Sequence, residues 1–166
     1  MGDELIRIKP ADRGDANSLA RVHEAAWRSA YQGVIPHLHL RRMIAQRGPS
    51  WWARSIRNDG VLTLSFDGAM QGYVSFGQSR LPGAKGEIFE LYMAPAFQGV
   101  GLGKRLFLAA RHELRQRNMA CLIVWALEDN ATACDFYARL GGTPIRRAHE
   151  RFGESTLAKI AFRWPA

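Results

Sequence analysis

Hydrophobic and polar residues recur along this chain in patterns that predict strands and helices in alternation. Short apolar or alternating runs predict strands, and apolar positions three and four apart predict amphipathic helices. The predicted strands cover residues 5–9, 61–66, 71–76, 87–93, 120–127, 145–151 and 155–164. The predicted helices run from residue 12 or 15 to about residue 31, and then over residues 38–45, 49–58, 103–117 and 130–140.

Turn and capping residues indicate where these elements begin and end. Asp12 and Asp15 can each cap the first helix. The sequence Asn-Asp-Gly at residues 58–60 predicts the turn that ends the third helix, and Asp67 with Gly68 predicts a tight hairpin turn between two strands. Because the chain contains no repeat, low-complexity tract or linker, we expect one domain over its whole length.

The composition is that of a folded domain. The chain has 166 residues, 47% of them hydrophobic and 23% charged, so it can bury a sizeable core. It lacks both an apolar run of the roughly 20 residues that cross a membrane and a secretory signal, which predicts a cytoplasmic protein.

Cys121 and Cys134 are far apart and are expected to be core thiols. His37 and His39 have no acidic or thiol partner nearby, so we expect no metal.

Three closely spaced glycines join the predicted central strand to the helix after it. Gly99, Gly101 and Gly103 can adopt backbone angles that other residues avoid, and the first N–H groups of the helix point toward negative charge. The segment therefore predicts a phosphate-binding loop. It is not a Walker loop, because Gln98 stands where the first glycine belongs. It is not the dinucleotide motif G-x-G-x-x-G either, because Lys104 replaces the third glycine.

The remaining pattern is Q-x-x-G-x-G. It resembles the acyl-CoA pyrophosphate loop, Q/R-x-x-G-x-G/A, of the GNAT superfamily of N-acetyltransferases, and the predicted order β-α-α-β-β-β-α-β-α-β-β is similar to the GNAT fold over almost the whole chain. The resemblance implies an α/β fold with a mixed sheet, in which the N-terminal strands are mostly antiparallel, a central parallel pair splays apart, and helices cover both faces. It also implies that the loop binds acetyl-CoA through Gln98, Gly99, Val100, Gly101, Leu102, Gly103 and Lys104.

A second motif lies on the last predicted helix. Asn130 can cap its start, and Ala133, Phe136, Tyr137 and Leu140 share one face, as in an ordinary core helix. Beside the glycine loop, however, N-x-x-A-x-x-F-Y-x-x-L-G is similar to the second GNAT signature. That resemblance implies that Asn130 and Ala133 contact the pantetheine arm of CoA and that the Tyr137 hydroxyl approaches its sulfur.

The resemblance implies attack of a neutral amine on a thioester. An alkyl ammonium with a pKa of about 10 must first lose a proton, often through water, so a carboxylate is expected nearby. Tyr137 is the candidate general acid, because a hydroxyl beside the sulfur can protonate the departing thiolate. The splayed strands of GNAT proteins imply main-chain contacts between pantetheine and Leu91, Tyr92 and Met93, and a backbone N–H there would stabilise the oxyanion.

Two glutamates on the central strand are candidates for the base. Glu87 and Glu90 are three residues apart, so they face opposite sides of a regular strand, and only a bulge would bring them to one side. We favour Glu90 because it shares its face with Tyr92. Two alternatives remain open, since either glutamate can instead form an ion pair and ordered water can move the proton.

The acceptor pocket is expected in the first third of the chain. Trp27 and Tyr31 are four apart and share a helical face. With Glu90 they would hold an ammonium group by cation–π attraction and charge, although core packing explains the same pair. The segment resembles the W…Y-x-G-x-x-P stretch of bacterial GNAT proteins thought to modify small amines.

Trp51 and Trp52 are expected to pack a helix onto the sheet, with a substrate rim as the alternative.

The net charge of +8 and the pI near 10.2 would suit any polyphosphate, including nucleic acid. The arginines are scattered, with pairs only at residues 41–42 and 146–147, and no nucleic-acid-binding motif is visible. Coenzyme A is itself polyanionic and suits the same charge. We therefore expect no nucleic-acid partner and no membrane partner.

Together these features predict an enzyme that transfers acetyl from acetyl-CoA to a primary amine by direct attack in a ternary complex. We expect a small acceptor that is polyamine-like or amino-acid-like. Acetylation of a protein N-terminus or lysine is the alternative reaction, and an acyl-CoA sensor without turnover is the alternative from another class. Family analogy adds a homodimer formed through the strands at residues 145–151 and 155–164.

Overall fold

The fold was obtained as a computed structural model that describes residues 5–58 and 60–166. The predicted turn at residues 58–60 includes Asp59 and so lies outside the described residues. The strands are β1 (Ile6–Pro10), β2 (Gly60–Phe66), β3 (Ala69–Gln78), β4 (Gly86–Met93), β5 (Leu122–Leu127), β6 (Thr143–Phe152) and β7 (Ser155–Trp164). The helices are α1 (Ala16–Tyr31), α2 (His37–Gln46), α3 (Pro49–Asn58), α4 (Leu102–Gln116) and α5 (Ala131–Arg139).

All of these strands join one sheet in the order β1-β2-β3-β4-β5-β7-β6. The first four strands pair antiparallel, β4 and β5 pair parallel, and β5, β7 and β6 are again antiparallel. This confirms the predicted mixed sheet. Of the two strands named for a homodimer, β7 pairs with a strand on each side and has no open edge, whereas β6 lies at an edge of the sheet, and the homodimer itself stays a prediction.

The predicted splay is present between the two parallel strands. Pairing between β4 and β5 is confined to residues 86–88 of β4 and residues 122–124 of β5. Beyond Ile88 the two strands diverge, while β4 stays paired with β3 as far as Met93. The edge of residues 89–93 that faces β5 is therefore open to a ligand.

Helices cover both faces of the sheet, as predicted. On one face, α4 and α5 bury Leu106, Phe107 and Tyr137 against the sheet. On the other face, α1 and α3 bury Leu19 and Trp52 against β2 and β3. A third apolar cluster joins α1 and α2 to the ends of β5 and β6, beside the splay. The splay thus lies between two well-packed layers and can hold a fixed geometry.

Several boundaries differ from the prediction for local reasons. The three helices predicted between the first two strands are present, with Gly48 between α2 and α3, although the order β-α-α-β counted only two of them. Asp12 and Asp15 form a capping box around a short 3-10 turn, and α1 starts only after it. Strand β5 begins at Leu122 instead of residue 120, because the chain turns through Asn118 at a φ of 59°. No helix among the described residues is long and apolar enough to span a membrane.

Candidate active site

The glycine loop lies between the end of β4 and the start of α4. Gly99 has a φ of 76° and Gly101 a φ of 83°, which is the left-handed region that glycine adopts without strain. A Cβ atom at either residue would meet no protein atom within 4 Å, so a ligand has room against the main chain there. Gly103 differs: the prediction of an unusual backbone angle is wrong, since it lies inside α4. A Cβ at Gly103 would come within 3.4 Å of the Phe136 ring, which indicates a role in close helix packing.

The start of α4 has the properties of an anion site. Gly101 precedes the helix and offers no side-chain cap, and the first turn contains no acidic residue. The first N–H groups of a helix have no intrahelical partners and carry the positive end of its dipole. Leu102 is buried in the core, while Val100 and Lys104 are exposed. Leu102 can therefore contact a ligand only through its main chain, whereas the Lys104 ammonium can add charge.

Gln98 fixes the position of this loop. Its side-chain Nε2 donates a hydrogen bond to the carbonyl of Met93 at 3.1 Å, which ties the loop to the end of β4. Gln98, which the sequence placed in the phosphate motif, thus stabilises the loop itself, in addition to any contact with a ligand. The open edge of β4, with Leu91, Tyr92 and Met93, leads directly into the loop.

The second motif forms the start of α5 as expected. The Asn130 side chain accepts a hydrogen bond from the Ala133 N–H at 3.2 Å and so caps the helix. Tyr137 is buried, with its ring 6.4 Å from Phe107 and 6.0 Å from Trp164, measured between ring centroids. Burial raises the pKa of Tyr137, and repulsion from Tyr31 and Cys134 adds to the shift. The phenol therefore stays protonated near neutral pH.

Two adjoining cavities open beside the splay, on the side of α1 and α2. One has a volume of about 600 Å³ and the other of about 330 Å³. Both are lined by Arg47, Glu87, Phe89, Glu90, Trp125 and Lys159. The smaller cavity also reaches the predicted acceptor residues Trp27 and Tyr31, together with Tyr92. The sequence-predicted acceptor residues and both glutamates thus meet at one place.

A β-bulge brings the two glutamates together. Phe76 pairs with Ile88 and Ser75 pairs with Glu90, so Phe89 is an extra residue on β4 with no partner on β3. The bulge reverses the alternation of side chains, and Glu87 therefore lines the same cavities as Glu90. Geometry consequently allows either carboxylate to reach an acceptor bound there.

The two carboxylates have different surroundings. Arg47 donates to Oε1 of Glu90 at 2.6 Å, and the Tyr73 hydroxyl donates to Oε2 at 3.2 Å. Burial raises the pKa of Glu87, and hydrogen bonds from Arg80 and Ser79 oppose this shift. Glu90 is thus held in an ion pair, whereas burial makes Glu87 more basic than an ordinary carboxylate.

The aromatic residues divide between core and cavity. Trp52 is fully buried against Tyr73, at a centroid distance of 4.8 Å, whereas its neighbour Trp51 lines the larger cavity. Trp52 thus packs on the sheet as expected, whereas Trp51 lies where a substrate rim would require it. Trp27 and Tyr31 are buried and also line the smaller cavity, and the Tyr31 and Tyr92 hydroxyls lie 2.5 Å apart.

A comparison with known families assigns the chain. The acetyltransferase (GNAT) family matches residues 19–142, which include most of α1, the glycine loop and α5. The chain belongs to the GNAT family. An uncharacterised N-acetyltransferase of Bacillus subtilis is 26% identical over 97% of this GNAT chain and 94% of its own length. A mycothiol acetyltransferase of Nocardia farcinica is 39% identical over 86% of this chain, which spans only 46% of that relative.

Solved structures give the same fold. The PaiA N-acetyltransferase of Thermoplasma acidophilum, determined in complex with coenzyme A, superimposes with a TM-score of 0.77 at 17% identity. The match covers 93% of this chain and 97% of that one. Together with the mixed sheet and its splay, this likeness confirms the predicted fold class.

Several cavity residues of this GNAT protein carry no signal in the sequence. Arg47 directly follows α2, Trp125 lies in β5 and Lys159 lies in β7, and only the fold brings them to the glutamates. Arg47 is one of many scattered arginines, and its position in the cavity depends on contacts that residue spacing does not reveal. No group of three His, Cys, Asp or Glu side chains suited to a metal occurs in residues 5–58 and 60–166, and His39 packs on the Phe152 ring.

Proposed function

We propose that this GNAT protein transfers acetyl from acetyl-CoA to the primary amine of a small molecule, by direct attack within a ternary complex. The observation that carries the proposal is the position of the splay. It separates an uncapped, glycine-lined helix start from a cavity that contains two carboxylates and aromatic walls. One site thus offers a place for a diphosphate, a thioester and an amine.

The residues at the loop fit the diphosphate of CoA. The open space over Gly99 and Gly101 admits phosphate oxygens to the main chain, and the start of α4 supplies N–H donors. The open edge of β4 at residues 91–93 would hold the pantetheine amide groups, with Asn130 and Ala133 of α5 on the far side. Bound there, acetyl-CoA would supply the activated acetyl group as a thioester.

Glu87 is proposed as the proton acceptor, in the role for which the sequence favoured Glu90. A base works best when its pKa approaches the working pH, and burial raises the pKa of Glu87 in that direction. Glu90 is bonded to Arg47 and Tyr73, and both contacts stabilise its ionised form. The proton that leaves the acceptor ammonium passes to Glu87, directly or through water, and the nitrogen lone pair then becomes available for attack.

Tyr137 is proposed as the proton donor to the leaving sulfur. Its ring is fixed by Phe107, Phe136 and Trp164, and its raised pKa keeps the hydroxyl protonated. When the carbon–sulfur bond breaks, the hydroxyl proton moves to the thiolate. A backbone N–H on the open edge of β4 would stabilise the negative oxygen of the tetrahedral species.

The cavities favour a small acceptor over a protein. The side chains of Trp27, Tyr31 and Tyr92 close one wall of the smaller cavity, and α2 and α3 border the larger one through Arg47 and Trp51. A volume of about 600 Å³ suits a small molecule. The mycothiol acetyltransferase relatives extend well beyond this chain, so their acceptor is not transferred to it.

A turnover assay tests the proposal. The protein is incubated with acetyl-CoA and a panel of amines, amino acids and short peptides, and both free thiol and acetylated product are measured. We expect acetylation of at least one small amine. We also expect Tyr137→Phe to lower kcat by about tenfold or more while the Kd of CoA stays unchanged, because a lost proton donor affects only the transition state.

Absence of acetylated product across the panel, with CoA still bound, would contradict the proposal and favour an acyl-CoA sensor. Acetylation restricted to peptides would instead favour protein acetylation. Salt-sensitive retention on nucleic acid without any response to CoA would exclude both readings.

A further inference from the structure

Arg47 is held in a fixed position at the border of both cavities. Its guanidinium carbon lies 4.1 Å from the centroid of the Trp51 ring and 5.4 Å from that of Trp27. Its Nη1 donates to Glu90 at 2.6 Å. Aromatic stacking on a guanidinium and a charge-assisted hydrogen bond together restrict the side chain to one orientation. Trp27, which the sequence assigned to an acceptor ammonium, thus already contacts a cation of the protein itself.

Part of the guanidinium remains available to a ligand. A guanidinium has five N–H donors. Within residues 5–58 and 60–166, the only hydrogen-bond acceptor found for them is Glu90. The Arg47 side chain is 26% exposed, compared with 11% for the Glu90 side chain, and it lines both cavities. An anionic group in the cavity can therefore bind Arg47 without displacing Glu90.

The cavity charges do not suit an acceptor with several positive charges. Glu90 is paired with Arg47, and Glu150 faces Lys159 at 3.8 Å. The backbone N–H of Arg80 donates a hydrogen bond to Glu87, and the positive charges of the Arg80 and Lys159 side chains also act on this carboxylate. A second ammonium group in the acceptor would thus meet carboxylates that cations already neutralise. The formal net charge of +8 repels a polycation as well.

From these contacts we infer that the acceptor carries a carboxylate close to the amine that is acetylated, and that Arg47 binds this carboxylate. The inference rests on the proposed function and selects the amino-acid-like acceptor over the polyamine-like one. The carboxylate takes two N–H groups of the guanidinium, and the amine is directed to Glu87 across the cavity. Arg47 then determines specificity, while Glu90 keeps the guanidinium in place.

The experiment compares matched acceptors on the wild-type enzyme. α-, β- and γ-amino acids are each assayed beside their primary amides and beside a linear diamine, and kcat/KM is expressed per neutral amine because amidation changes the amine pKa. Hydrogen bonds to charged groups are strong, so we expect at least one acid to exceed its amide by about tenfold or more. Amides or diamines that equal or exceed every acid would overturn the inference, while acetyl transfer itself would still support the proposed function.

A pair of variants tests the residue. Arg47→Gln is expected to lower the ratio of kcat/KM for the acid to kcat/KM for its amide to about one, mainly through a higher KM of the acid. Arg41→Gln is the matched control, because it removes the same charge from an exposed position on α2 that lines neither cavity. A preference that survives in Arg47→Gln, or is lost equally in Arg41→Gln, would overturn the assignment to Arg47. If Arg47→Gln does not fold, the wild-type comparison of acid and amide decides. Failure of every acceptor would instead refute the proposed function.

Discussion

Replacement of Gly101 by alanine separates backbone strain from coenzyme binding. Gly101 has a φ of 83°, and a Cβ added there meets no protein atom within 4 Å. Gly68, in the turn between β2 and β3, has a φ of 81° and equally open surroundings, but it lines neither cavity and lies outside the glycine loop. The two substitutions should therefore impose the same strain, and only Gly101→Ala adds a methyl group where a diphosphate would approach.

The expected magnitudes follow from these geometries. A side chain in the left-handed region costs about 1–2 kcal/mol. For a chain of 166 residues this corresponds to a Tm lower by about 2–8 °C in both variants. In Gly101→Ala the methyl group also costs at least one hydrogen bond to phosphate, worth about 1.5–3 kcal/mol. The Kd of CoA should thus rise by about 10- to 150-fold in this variant alone.

Calorimetric titration with CoA gives the affinity, and thermal unfolding without ligand gives the strain. Gly68→Ala should match Gly101→Ala in Tm and match the wild type in Kd. An unchanged Kd in Gly101→Ala, or equal loss of affinity in both variants, would refute the assignment of the diphosphate to this loop.

Two further predictions concern titratable groups. Glu87→Gln should lower kcat by about 10²-fold and abolish the acid limb of the pH–rate profile. In the wild type this limb should lie at higher pH than for an ordinary carboxylate, because burial raises the pKa of Glu87. An unchanged profile in Glu87→Gln, or an equal loss of kcat in Glu90→Gln, would assign the base elsewhere. His23 is fully buried with both ring nitrogens unpartnered among the described residues, and burial lowers its pKa to about 3. Because the unfolded chain binds the proton below a pKa of about 6.5, stability from this group is complete above that pH and falls by about 2 kcal/mol at pH 5. His23→Leu should lose this pH dependence in urea unfolding, and a slope equal to that of the wild type would contradict the burial argument.

The fold could be predicted from the sequence because the motifs that indicate it depend on neighbouring residues. The glycine loop, the Asn130 cap and the amphipathic run of α4 each depend on neighbours in the chain, and all three lie where expected. The splay itself was implied by the resemblance to GNAT proteins, and the limited pairing of β4 with β5 confirms it.

The acceptor cavity was less predictable because its contacts are distant in sequence. Spacing places Glu87 and Glu90 on opposite faces, and only the bulge at Phe89 brings them together. Arg47 meets Glu90 from another element, 43 residues away. A pattern of residue types does not reveal either contact, so the proposed base and the proposed specificity residue could be identified only from the folded chain.

The most direct measurement is a crystal structure of the protein with acetyl-CoA and an amino acid. The diphosphate should lie on the main chain of residues 99–104, with pantetheine in the opening between β4 and β5. The thioester sulfur should lie near the Tyr137 hydroxyl, and the amine should face Glu87. Electron density for the coenzyme at any other place on the protein would contradict the assignment of this site.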